Sequence, residues 1–250
     1  VAATYPASAL EGGITYDDFS GAVRNGSNGK LQEVTLIKDA TGEAGGTLSQ
    51  GRIVKVNLNG HSVAFAEGKG LTVDRASLTI EGEGSLNASG NVAVITMKGS
   101  KTDVAEDCAT LVVGEQVTLK GQAGVLVTPN GNAAYGVDVV VNGKIEAVDS
   151  GINVNGSINV TEGNVPTITL AETSAVTATA VDSVGIYAGG YAIWNLKGDI
   201  RAADALSIKC GDITVSDGDY VAFGTLSVPP TAATSGSENT GSAVSITTGT

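Results

Sequence analysis

Charge is scarce in this chain, and positive charge scarcer still. Of 250 residues only 16% are charged, and 26 acidic against 14 basic residues leave a formal net charge of −12. That argues against nucleic-acid binding, which needs clustered Lys and Arg to neutralise phosphate. It equally argues against docking on anionic lipid. No apolar run approaches the length that spans a membrane. There is one histidine, so any imidazole chemistry rests on His61 alone. The two cysteines, Cys108 and Cys210, stand far apart with no metal-ligand spacing around either. Aromatic residues make up only 4%. The chain opens on Val1 with no initiator Met and no signal peptide, and the expectation is a processed or shortened chain.

What is abundant is small and branched. Hydrophobic residues make up 42%, glycine supplies 35 positions, and Val, Ile, Thr and Ala dominate. That favours strands and tight turns over helices. The length suits one large domain or two ordinary ones. The stretch Ile145 to Val160 sets the pattern: apolar and polar residues alternate, and Asp149-Ser-Gly and Asn155-Gly interrupt them. Related units begin at Leu86, Leu119, Ile145, Thr179 and Ile200, the shortest step being about 21 residues. A coil of three short strands has that length, and stacked coils place like residues above like. A narrow interior then explains the small apolar residues, and its corners explain the glycines. The rival is an antiparallel sandwich. Val54, Val56 and Leu58 alternate before Asn59-Gly60, and Val63 and Phe65 alternate after it, which by the usual rule is a hairpin. A sandwich gives no reason for one unit to return at coil length.

The expected fold is therefore all-β, a single-stranded right-handed parallel β-helix in one domain spanning 1–250. Residues 1–13 read as an irregular lead-in. A short capping helix is expected over 14–26, with Thr15 as its N-cap, Asp17 and Asp18 in the first turn, Phe19, Ala22 and Val23 as its apolar face, and Asn25-Gly26 as its stop. Coils fill 31–224. The Pro-, Ser- and Thr-rich tail falls in a C-terminal loop over 225–250, with Ala243-Val-Ser-Ile as a closing strand. Aligning the units puts Ile152, Ile186 and Ile208 in one inward column and Val154, Ala188 and Cys210 in the next. Cys210 then reads as a buried thiol. Cys108 lies several coils away, too far for a disulfide, so two free thiols are expected.

From Val34 to Phe65 the chain reads Val-Thr-Leu-Ile-Lys-Asp, a Gly-rich turn, then Val-Asn-Leu-Asn-Gly-His-Ser-Val. This resembles the opening coils of pectate-lyase-like right-handed β-helix proteins of bacterial surfaces. Leu78-Thr-Ile-Glu-Gly-Glu-Gly-Ser-Leu-Asn-Ala-Ser-Gly is similar to coils of the same group and of carbohydrate-binding β-helices. The likeness covers most of 14–224. It implies a secreted or cell-surface protein with polysaccharide or surface glycan as partner, but the fold also carries lyases, hydrolases and inert stalks. Pectin-hydrolysing members carry Asn-Thr-Asp, an Asp-Asp pair and Gly-His-Gly. The first and last are absent here, and the only Asp-Asp pair, Asp17-Asp18, sits at the expected helix start.

The function expected from this is non-catalytic: carbohydrate binding or adhesion. The rivals are a polysaccharide lyase or glycoside hydrolase, which would need paired carboxylates, and a structural stalk. Sugar faces are read by exposed aromatic rings. Tyr187, Tyr191, Trp194 and Tyr220 gather in the C-terminal third, and Tyr187 shares an outward column with Asn153 and Lys209. Trp194 fits either side of its strand. No cofactor is required, and calcium is the one cation for which oxygens are at hand: Asp212, Asp217 and Asp219 form one acidic group, and Asp103, Glu106 and Asp107 another. The reading preferred for both is a solvated turn. Asp149 and Asp182 align roughly at one corner, and His61 follows a turn at a strand start.

Overall fold

A computed structural model describes residues 5–9, 14–16, 18–100, 108–129, 136–156, 165–208, 212–216, 220–222 and 244–247. Strands β1 (Tyr5–Ala9) and β2 (Ile14–Tyr16) precede helix α1 (Phe19–Arg24). Coils follow, each laying strands on three faces. The first is β3 (Leu31–Thr35), β4 (Ala40–Glu43) and β5 (Gly46–Leu48). The second is β6 (Ile53–Asn57), β7 (His61–Phe65) and β8 (Leu71–Asp74), and the third is β9 (Ser77–Glu81), β10 (Gly84–Asn87) and β11 (Ala93–Lys98). Next come β12 (Ala109–Val113) with β13 (Val117–Val127), then β14 (Val137–Val141) with β15 (Lys144–Val154); β13 and β15 bend across the second and third faces. Then come β16 (Thr167–Leu170), β17 (Ala175–Ala178), β18 (Val184–Ala188), β19 (Ile193–Leu196), β20 (Asp199–Ala202) and β21 (Asp204–Ile208). Strands β22 (Asp212–Ser216), β23 (Tyr220–Ala222) and β24 (Val244–Thr247) end the described chain.

The first face is an 11-stranded sheet. The other two faces form one 13-stranded sheet, because β13 and β15 carry the ladder round the corner. Among the described strands every pairing is parallel except the two that β1 makes. The protein is a parallel β-solenoid. The Asn59-Gly60 pair does not make a hairpin. Both residues take positive φ, 51° and 82°, and turn the chain from the first face into the second, so β6 and β7 never pair with each other.

Strand alternation sends every second residue inward, and parallel register stacks those residues. Val34, Val56, Ile80, Val113, Val141, Leu170 and Leu196 make one such column and are fully buried. Burying each contributes about 1.5–3 kcal/mol. The second face has its own column of Val63, Leu86, Leu119, Ile145, Val176 and Ile200. Four of the five unit starts read from the sequence belong to it. The fifth, Thr179, is displaced: its place is held by Val176. On the third face, Ile186 stacks on Leu206 and Ala188 on Ile208, so the expected Ile152–Ile186–Ile208 column is corrected by two residues. Corner length explains both slips. Two residues separate Ala147 from Ser150, five separate Ala178 from Val184, and one separates Ala202 from Asp204, although Ser150, Val184 and Asp204 share a register. An even slip preserves which face a side chain points to. Ile208 now holds the place assigned to Cys210, and Cys210 lies outside the described residues. Cys108 is half-buried just before β12.

The N-terminal end differs from expectation. Residues 5–9 are a strand, not irregular, and Thr15 lies in β2, paired with Ala7. The helix therefore starts later. Asp18 is its N-cap, accepting from the Gly21 N–H, and Asn25 closes it. Phe19, Ala22 and Val23 do form the apolar face and are fully buried. Two inward polar residues of the first coil hold the helix. Buried Glu43 accepts from the N–H groups of Phe19 (3.3 Å) and Ser20 (2.9 Å) and from the Ser20 hydroxyl (2.7 Å), supplying partners for orphan donors of the helix N-terminus. Gln32 Nε2 donates to the Ala22 carbonyl. Replacing Glu43 by Ala leaves those donors buried and unmet. The expected cost is about 2–3 kcal/mol, with early hydrogen exchange at Phe19 and Ser20; an exchange pattern unchanged at both amides would contradict it.

Candidate functional site

The outward side chains stack as regularly as the inward ones. On the third face one outward column reads Thr47, Thr72, Thr96, Leu126, Asn153, Tyr187 and Ser207. Where it passes from Leu126 to Tyr187 the surface sinks into a groove of about 440 Å³. Leu126, Asn153 and Tyr187 line it along the column. Gln122 and Asp149 line it from the bend in β13 and β15, and Val184 from the start of β18. Gln122 Nε2 donates to Asp149 Oδ2 at 2.5 Å, which fixes that wall. Asn153 Oδ1 is buried and has no hydrogen-bond partner among the described residues. Such an acceptor is costly to leave unmet. The Tyr187 ring lies over Gly189, where a Cβ would stand 3.2 Å from Cε1 and 3.3 Å from Oη. A phenol, an amide oxygen and a carboxylate thus meet aliphatic surface in one shallow concavity. This arrangement suits a polyhydroxylated ligand with an apolar face.

The other expected residues disperse. Tyr191 is half-buried on the turn into β19, outside the groove lining. Trp194 is fully buried in an inward column between Ile168 and Ile213, so it offers no ring to a surface ligand. The phase it shares with Ala192 and Leu196, both also buried, decides the orientation. Tyr220 lies in β23, in register with Ile200. Tyr187 and Asn153 do share an outward column, but its next member is Ser207, not Lys209, by the two-residue slip. Asp212 is in register with Ile193 on the first face. Asp217, Asp219, Asp103, Glu106 and Asp107 lie outside the described residues, and among the described residues no three His, Cys, Asp or Glu side chains are placed to hold a metal ion.

Asp182 sits exposed on the longest corner, whereas Asp149 is held by Gln122. His61 opens β7, with Nδ1 3.4 Å from Asp39. The Ser62 N–H donates to Asp39 at 2.9 Å and holds that carboxyl below the usual range, an effect His61 reinforces. The pair is a corner brace. A larger concavity, about 760 Å³, lies at the corner before the first face, lined by Arg52, Arg75, Gln50 and Cys108. Its arginines have structural partners: Arg52 donates to the Arg24 and Gly26 carbonyls, and Arg75 pairs with Asp74. Sequence reasoning placed Tyr187 and Asn153 in one outward column but did not bring Gln122 and Leu126 to it. The missing signal was the register that stacks them, which text alignment alone set only approximately.

Comparison of this chain with protein-family models, with curated proteins and with solved structures found no match. The class the fold defines is a parallel β-solenoid, and no helix among the described residues is long and apolar enough to cross a membrane.

Proposed function

We propose that this protein is a non-catalytic carbohydrate-binding or adhesive module, secreted or displayed at a bacterial surface, and that it holds a surface glycan in the groove between Leu126 and Tyr187. The observation that carries the reading is the unmet Asn153 acceptor beside the Tyr187 ring on an outward column. A sugar face packs on the ring and on Leu126, and a sugar hydroxyl supplies the missing donor once the Asn153 amide turns its solvent-closed oxygen toward the groove. The resemblance of Val34–Phe65 and Leu78–Gly90 to pectate-lyase-like coils supports the choice of carbohydrate and of location.

The test is a panel of immobilised polysaccharides read for both retention and cleavage. Retention without product is expected. Tyr187→Ala should weaken it by about tenfold, the scale of one aromatic contact, and Asn153→Ala should weaken it severalfold, both with unchanged melting curves. Release of new reducing or unsaturated ends would instead establish a lyase or hydrolase. Retention indifferent to both substitutions would remove the groove from the reading.

A further inference from the structure

The second face carries a pattern of charge that is its own complement. Its outward residues form two columns. One runs Lys144, Ala175, Asp199 and the other runs Glu146, Thr177, Arg201. Successive members are one rung apart, so each charge lies two rungs, about 10 Å, from the opposite charge in its own column. The small middle row leaves a dip of about 330 Å³ walled by the four charged side chains. Lys144, Glu146 and Arg201 are exposed, and so is the neighbouring Val148, at 43%. Glu146 bonds Lys120 of the preceding rung at 2.9 Å, whereas Lys144 and Arg201 have no ion pair among the described residues.

A two-fold axis lying in this face and parallel to its strands exchanges the two charged rows. Lys144 then meets the Asp199 position of a second copy, and Glu146 meets its Arg201 position. The Ala175–Thr177 row falls on the axis and meets itself, where small side chains allow close approach. Within these two columns no like charges oppose each other, and isologous pairing of this kind is the commonest assembly of like chains. We propose that the second face docks a second copy of this chain, antiparallel, through these four charges. The proposal is independent of the glycan groove, which lies on the third face.

The test is sedimentation equilibrium of the full chain at low and at high salt. A concentration-dependent dimer is expected, weakened by salt as exposed ion pairs are. Lys144→Glu turns two attractive pairs into repulsive ones and should weaken the dimer by about tenfold. Adding Asp199→Lys should restore it, because the exchanged charges again oppose their complements. Lys144→Ala gives the milder loss and guards against misfolding of the reversal variant, with melting curves as the check. A monomer at every concentration would overturn the proposal, as would a dimer indifferent to Lys144→Glu. Rescue by Glu146→Lys in place of Asp199→Lys would overturn it too, since that result requires an axis along the solenoid.

Discussion

Replacing Gly151 by Val is expected to keep the central coils from closing, and Gly151→Ala to cost about 3 kcal/mol, the upper range for overpacking a well-filled interior. Gly151 lies at the bend of β15, where the chain passes from the second face to the third. A Cβ there would stand 2.2 Å from Val176 Cγ1 and 2.5 Å from the Gly185 carbonyl oxygen. The two neighbours in its column are alike. Gly124 would meet Ile145 at 2.3 Å and the Gly151 oxygen at 2.7 Å, and Gly185 would meet Ile200 at 2.4 Å and the Ala205 oxygen at 2.7 Å. At each level an inward branched side chain of the next rung occupies the space that a methyl group would need. These glycines are required by crowding rather than by backbone dihedral, since none has positive φ. The measurement is thermal and urea unfolding followed by circular dichroism. Combining Gly151→Ala with Val176→Ala should recover only part of the loss, because the carbonyl contact is backbone and stays. A Gly151→Ala protein that unfolds with the parent would show that the rungs separate more easily than this packing implies.

Trp194→Ala should cost about 3–5 kcal/mol, the range for emptying a large aromatic site. The indole fills an inward position that Ile168 and Ile213 occupy on the rungs either side, and it is fully buried. Its Nε1–H has no acceptor among the described residues. Trp194→Phe should therefore be far milder than Trp194→Ala, because it removes the unmet donor while keeping most of the volume. As the only tryptophan, Trp194 should emit at short wavelength in the folded protein and shift to the red on unfolding. Emission already typical of water in the native state would mean that the ring faces outward, and would return it to the list of sugar-binding candidates.

Much of the architecture was readable before any coordinates. Alternation gave the strands, and the recurrence of Leu86, Leu119, Ile145 and Ile200 gave the stacking, because a parallel ladder forces equivalent residues into one column. Phe19, Ala22 and Val23 gave the helix face. What escaped was decided by length rather than composition. Corners of one, two or five residues look alike in a text alignment, and they displaced the Thr179 and Ile208 assignments. The helix start at Asp18 was hidden because Thr15 is as good a cap by type, and only its pairing with Ala7 in β2 removes it. The groove was half legible. Tyr187 and Asn153 could be placed side by side, but Gln122 joins them through the bend of β13 and Asp149 through that of β15, which no local pattern announces.

The unequal corners between the second and third faces have a practical consequence. Ala178 and Val184 hold their rungs across a five-residue spacer while Ala202 and Asp204 do so across one, so the ladder accepts corners of different length; in the long one Thr179, Ala180 and Ser183 are tied to neighbouring backbone and only the tip at Val181 and Asp182 stands clear. That site, with Val181 at 98% exposure, is a ready place to display a guest peptide: foreign sequence grafted at Val181 would project into solvent while the backbone ladder on either side ran on undisturbed.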